Sequence, residues 1–196
     1  MSSNTVIHRI VRPAVRAIAP TGITPNTITT ARLVSGIAAA VALGLDAGSW
    51  QAIGAGIFLL SMLLDRADGE LARSTGQTSA AGHRYDLFSD CFSNMIAFIG
   101  IGVGQVENLG GTGPILGAAA GIAIGAIFWQ LHVLRIGTLR GWEPTPGIII
   151  DPDDLLALVP VLIWIGAAVL MLWVAAVVTP LGALLLALTG TRRQRA

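Results

Sequence analysis

From residue 27 to residue 190 the chain is a succession of apolar runs, most of them close to the length of a membrane span. In hydrocarbon every backbone N–H and C=O needs an internal partner, so runs of this kind fold as helices. Hydrophobic residues make up 54% of the 196, and only 12% are charged. We read an all-α, polytopic membrane protein with spans at about 27–45, 51–75, 82–104, 113–137, 153–165 and 167–190. The fifth falls short of the roughly 20 residues that cross a bilayer. A break near Trp164–Gly166 separates it from the sixth; one long tilted helix is the alternative.

Ahead of these, Val6, Ile7, Ile10, Val11, Ala14, Val15 and Ile18 recur at spacings of three and four, with Arg9, Arg12 and Arg16 between them. This predicts an amphipathic helix on the membrane surface over residues 1–20, broken by Pro13 and ended by Pro20. Residues 21–196 then form the six-helix transmembrane domain, with Asn26 or Thr27 capping its first helix. Residues 1–20 have no apolar core leading to a small-residue cleavage site, so no cleavable leader is expected.

All twelve basic residues are arginine. Eleven of them gather at the N-terminus, around the second loop, at Arg135 and Arg140, and at the C-terminus; the loops near Asp46 and Glu107 have none. By the positive-inside rule both termini lie in the cytoplasm. Trp50 and Trp142 fall at predicted membrane boundaries. The single cysteine, Cys91, excludes an intrachain disulfide and reads as a small core residue. Net charge is +1, and nothing points to nucleic acid.

Against this background, Asp65-Arg66-Ala67-Asp68-Gly69-Glu70-Leu71-Ala72-Arg73, followed after eight residues by Gly82-His83-Arg84-Tyr85-Asp86-Leu87-Phe88-Ser89-Asp90, stands out. At about 100° per residue, Asp65, Asp68, Gly69 and Ala72 share one sector of a helix. Gly82, Asp86 and Asp90 form a stripe on the next. Aspartates in an apolar chain need a use. If the two helices face each other, four carboxylates converge and repel, and hard divalent cations, Mg²⁺ or Mn²⁺, relieve that repulsion. Gly69 and Ala72 leave a shallow floor, and Arg73 can reach a phosphate. Such a set suits phosphoryl chemistry, with Asp90 placed to take a proton from an alcohol.

The string D-x-x-D-G-x-x-A-R-x8-G-x-x-x-D-x-x-x-D resembles the signature of the CDP-alcohol phosphotransferase (CDP-alcohol phosphatidyltransferase) family at every position. Pro25-Asn26-x-Ile28-Thr29-x-x-Arg32 is similar to the opening of that family's first membrane helix. The resemblance implies transfer of a substituted phosphate from a CDP-linked donor to an alcohol, with release of CMP. It implies two divalent cations held by Asp65, Asp68 and Asp86, with Asp90 as base and further ligand. Asp68, Gly69, Ala72, Arg73 and Gly82 would hold the CDP moiety, and the protein would be a homodimer.

The chain is shorter than the eukaryotic-type choline and ethanolamine phosphotransferases. That favours a bacterial enzyme of the inner membrane using CDP-diacylglycerol. Cys91 stands where many phosphatidylinositol-phosphate and phosphatidylglycerophosphate synthases carry a basic residue, so the acceptor stays open. Arg84, His132, Arg135 and Arg140 are candidates for binding an anionic acceptor. His83 reads as a loop residue. Asp151, Asp153 and Asp154 read as acids that complement a helix start. Gly117, Gly121 and Gly125 permit close helix packing, within or between subunits. A small metal or ion transporter with intramembrane aspartates is the rival reading. It fits less well, because the motif lies at helix ends beside arginines.

Overall fold

A computed structural model describes residues 6–134, 142–145, 148–150 and 152–193. The described residues are overwhelmingly helical: α1 (Val6–Ile18), α2 (Pro25–Leu45), α3 (Ser49–Thr75), α4 (Ala80–Gly104), a single turn α5 (Val106–Leu109), α6 (Thr112–His132), α7 (Leu158–Trp164) and α8 (Ala168–Arg193). A small antiparallel hairpin, β1 (Trp142–Thr145) and β2 (Ile148–Ile150), lies between α6 and α7, where no strand was expected.

Among the described residues, four helices (α2, α4, α6 and α8) are long and apolar enough to cross a membrane. α3 has 27 residues, about 40 Å of helix, and carries its charges between Asp65 and Arg73, toward its C-terminal end. α7 has seven residues behind the 3₁₀ turn Pro152–Ala157, so the fifth predicted span is a short apolar helix. α8 exposes Leu170, Val174, Val177, Leu181, Leu184 and Leu188 along one stripe. An apolar face of that size belongs against lipid or another apolar surface.

α2 is the centre of the bundle. It packs extensively on both α3 and α4, which scarcely touch each other. Small residues bring the backbones together. A side chain at Gly100 of α4 would run into the Ala40 carbonyl of α2, and one at Gly36 into Ser93. α6 lies against α4 in the same way: a Cβ at Gly117 would stand 2.6 Å from the Phe98 oxygen, and one at Gly121 2.6 Å from the Met95 oxygen. The glycine stripe therefore serves packing within the chain. Leu43, Phe58, Ile101 and Leu172, all at most 1% exposed, lie at the heart of the main core.

Local sequence sets the helix ends. Thr24 caps α2, its Oγ1 accepting from the Thr27 N–H at 3.3 Å, and Pro25 takes the first helical position, where its missing N–H costs nothing. The cap thus precedes the expected Asn26 or Thr27. Ser79 caps α4 by accepting from the Gly82 N–H at 3.0 Å. The expected break after Trp164 is present: Gly166 adopts φ +77°, a left-handed conformation that ends α7. Two independent helices follow one another there, and a single long one is excluded.

α1 is continuous, contrary to the expected break at Pro13. Pro13 lies on the exposed side, while Val11 and Val15 are buried with Ala67 and Leu71 of α3. Packing on the far side holds the helix together across the lost hydrogen bond. The apolar residues divide into two faces. Val11, Val15 and Ile18 meet the bundle, while Ile10, Ala14 and Ala17 stay exposed with Pro13.

Candidate active site

α3 and α4 diverge where α2 wedges between them, and their aspartates converge above the wedge. One carboxylate oxygen from each of Asp65, Asp68 and Asp86 lies within 4.8 Å of the others. The spacing explains the match: Asp65 and Asp68 are one turn apart on α3, and Asp86 faces them from α4.

α2 supplies residues for which sequence reasoning assigned no role. Thr29 Oγ1 donates to Asp68 Oδ2 at 2.6 Å. Arg32, 2% exposed, sends Nη1 to Asp65 Oδ1 at 3.2 Å and lies 3.8 Å from Asp86 Oδ1. Its Nη2 donates to Asp90 Oδ1. Asn94, one turn further along α4, donates to the same oxygen at 2.8 Å. Asp90 is thus held beside the cluster rather than in it, by two donors that fix its orientation. A signal for Arg32 was present. It is the lone charge between residues 17 and 45, and a charge inside an apolar helix requires an acidic partner.

Arg66 Nη1 lies 3.6 Å from Asp65 Oδ2, so two guanidiniums face four carboxylates. Asp86 Oδ1 is buried without a hydrogen bond. Three clustered carboxylate oxygens and a buried carboxylate oxygen without a hydrogen bond fit a hard divalent cation. A second cation would be balanced by the two charges of a diphosphate.

Beside the cluster opens a cavity of about 520 Å³. Asp68, Gly69, Ala72, Arg73 and Gly82, the residues expected to hold CDP, all line it. The glycines matter here through close approach. A side chain at Gly69 would stand 3.3 Å from Arg73 Nη1, and one at Gly82 would stand 3.0 Å from Asn26 Oδ1. Asn26, Gln77, Thr78 and Ser79 add polar edges from the α2 start and the α3–α4 turn. His83 belongs to the first turn of α4, not to a loop, and lines the cavity as well.

Of the acceptor candidates, His132 lines the cavity; its Nδ1 is 3.1 Å from the Phe128 oxygen, and its ring stacks on Phe128. Arg84 is exposed, turns its Nε to the Ala80 oxygen of its own helix at 3.3 Å, and is not among the cavity's lining residues. Arg135 and Arg140 lie outside the described residues, as does Asp151; Asp153 and Asp154 fall in the 3₁₀ turn before α7. Cys91 is half-buried, its thiol 3.8 Å from Met95 Sδ.

The site is thus a carboxylate cluster at one edge of a cavity in a helical membrane scaffold. The family model described as CDP-alcohol phosphatidyltransferase matches residues 22–189. The chain belongs to the CDP-alcohol phosphatidyltransferase family, and is a membrane-embedded transferase of phospholipid synthesis. Among solved structures it is similar to the Mycobacterium tuberculosis phosphatidylinositol phosphate synthase PgsA1 with CDP-DAG bound. That likeness has 21% identity and a TM-score of 0.72, over 93% of this chain and 94% of that one. The apo form of PgsA1 is similar at 22% identity and a TM-score of 0.65, over 90% and 95% of the two chains. At such identities the likeness shows a shared fold. No curated protein sequence matches the chain.

Proposed function

We propose that this chain transfers the phosphatidyl group of CDP-diacylglycerol to the hydroxyl of a small alcohol and releases CMP. The observation that carries the reading is the clustering of Asp65, Asp68 and Asp86 at the edge of a cavity floored by Gly69, Ala72 and Gly82. The PgsA1 structure with CDP-DAG bound supports CDP-diacylglycerol as the donor class. The distribution of arginines supports a cytoplasmic site and cytoplasmic termini in a bacterial inner membrane.

Asp65, Asp68 and Asp86 would hold the divalent cations, Mg²⁺ or Mn²⁺, with Asp90 within reach as a further ligand. Bound there, they neutralise the diphosphate and stabilise charge on the attacking and leaving oxygens. The remaining work falls to the chain. Gly69, Ala72 and Gly82 let the nucleotide approach the backbone, and Arg73 faces its phosphates. Thr29 holds Asp68, while Arg32 and Asn94 hold Asp90. The acceptor oxygen attacks the β-phosphorus as Asp90 takes its proton. The new P–O bond forms, the bond to the bridging oxygen breaks, and CMP leaves. Homodimer formation belongs to the same proposal; exposed apolar faces such as that of α8 are available to a second copy as well as to lipid.

His132 lines the cavity, and Arg135 and Arg140 follow it in the sequence, so the acceptor proposed is an anionic alcohol. The test is incubation of purified protein with CDP-diacylglycerol, Mn²⁺ and glycerol 3-phosphate, inositol, inositol phosphate or serine, reading CMP. Release with one acceptor supports the reading; no release with any contradicts it. Uptake of the metal into vesicles without CMP release would favour the transporter.

A further inference from the structure

Position 70 is unspecified in the aspartate signature, yet Glu70 joins the N-terminal helix to the cavity. Its Oε1 accepts from Arg12 Nε of α1 at 3.0 Å. Its Oε2 accepts from Arg73 Nη2 at 3.1 Å. One carboxylate is thus shared by two guanidiniums, one on the surface helix and one over the floor of the cavity. The Glu70 side chain is 16% exposed, against 45% for Arg73, so the more covered acid is the anchor and the arginine the tethered group. The anchor is itself fixed. Val11 and Val15, on either side of Arg12, are buried with Ala67 and Leu71, on either side of Glu70. The two helices are therefore locked in register where the ion pair forms.

We propose that Arg12 and Glu70 are positioning residues for the nucleotide end of the donor: Arg12 orients Glu70, and Glu70 holds the Arg73 guanidinium over Gly69. A free arginine side chain samples many rotamers, and holding it in one lowers the entropic cost of gripping a phosphate. α1 is then a functional part of the site as well as a surface helix. The inference rests on the reading that Arg73 contacts the donor, and the experiment separates the two.

The measurement is calorimetric titration of CDP, with Mg²⁺ present, into the full chain in detergent, alongside the donor KM and kcat. Arg73→Gln weakens CDP binding if the donor reading holds; unchanged affinity removes that reading and the inference with it. Given that loss, Glu70→Gln and Arg12→Gln each weaken CDP binding by about two- to fivefold, the range an exposed ion pair can supply. The donor KM rises by more than kcat falls. Both effects vanish in the Arg73→Gln background, since the relay then has nothing to position. Arg12→Lys, which keeps the charge, recovers most of the affinity even where Arg12→Gln also lowers the melting temperature.

Three results overturn the inference while leaving the donor site intact. They are unchanged or tighter CDP binding in Glu70→Gln, effects of Arg12→Gln that persist undiminished without Arg73, and Arg12→Lys no better than Arg12→Gln. Tighter binding would mean that Glu70 competes with the phosphate for Arg73.

Discussion

Two polar networks among the described residues, one at each end of the bundle, are built in opposite ways. Where α2 and α4 end, Asn108 Nδ2 donates to Gln105 Oε1 at 2.7 Å and Gln105 Nε2 to Gln51 Oε1 at 2.7 Å. Gln51 Nε2 in turn meets the Leu43 and Ile101 oxygens at 3.3 and 3.2 Å. This chain of amides is closed: it joins α3, α4 and the turn after α4, and satisfies carbonyls at two helix ends. Where α3 and α4 carry their aspartates, three carboxylates pair with Arg32, Asp68 lies beside them on Thr29, and a buried Asp86 oxygen has no hydrogen bond. A closed polar network serves the fold, whereas an open one has capacity for a ligand.

Substitutions can break or sharpen that contrast. The largest effect on activity is expected from Asp65→Asn or Asp86→Asn. Each removes a charged ligand and lowers CMP release by about a thousandfold or more, as far as loss of a stabilising electrostatic centre allows. The melting temperature in metal-free detergent stays level or rises, because a repulsive charge has gone. Full activity at saturating Mg²⁺ in either variant would refute the metal role.

Asp90→Asn comes next. Loss of a general base slows turnover by about a hundred- to ten-thousandfold, while CDP affinity changes far less. An equal fall in affinity and turnover would assign Asp90 to binding alone.

Filling the cavity floor is milder. Gly69→Val or Ala72→Leu weakens CDP binding by about tenfold, by excluding the nucleotide and displacing the Arg73 guanidinium that already lies 3.3 Å from a Cβ at Gly69. Membrane insertion is normal, since both substitutions are apolar. Unchanged donor affinity would show that another face binds the nucleotide.

The smallest effect on activity is expected at the closed network. Gln51→Leu strands the Gln105 amide and two carbonyls and destabilises the bundle by about 2–3 kcal/mol. Activity per folded molecule is retained. A stable Gln51→Leu protein with lost activity would erase the distinction between the two ends.

The contrast also separates what could be read in the sequence from what could not. Which aspartates and small residues share a helix face follows from helical period, because a helix face is a local property; their assignment to the CDP moiety came from the family resemblance. The turn at Gly166 was one of two readings open for a single long apolar run, the other being one tilted helix. Arg32 was harder. Its partners lie more than thirty residues away, so its role depends on α2 sitting between α3 and α4, a tertiary fact that periodicity does not contain. Pro13 argued for a break that packing by Val11 and Val15 overrides. His83 was misplaced because the cap is Ser79, three residues before the motif's glycine, and the helix therefore starts ahead of it. The apolar residues of α1 gave the helix but not its division between two surfaces, since Val11 and Ile10 look alike until one has a partner.

The central claim is that the open carboxylate cluster exists to hold divalent cations against a CDP-linked donor. It is tested most directly by titrating Mn²⁺ into the purified, metal-free protein and following free Mn²⁺ by electron paramagnetic resonance, with and without CDP. The account predicts saturable binding by the wild-type chain, tightened and increased in number by CDP, and lost in the Asp65→Asn/Asp86→Asn double variant. Binding that is equal in the wild-type and double-variant proteins, or indifferent to CDP, would contradict it.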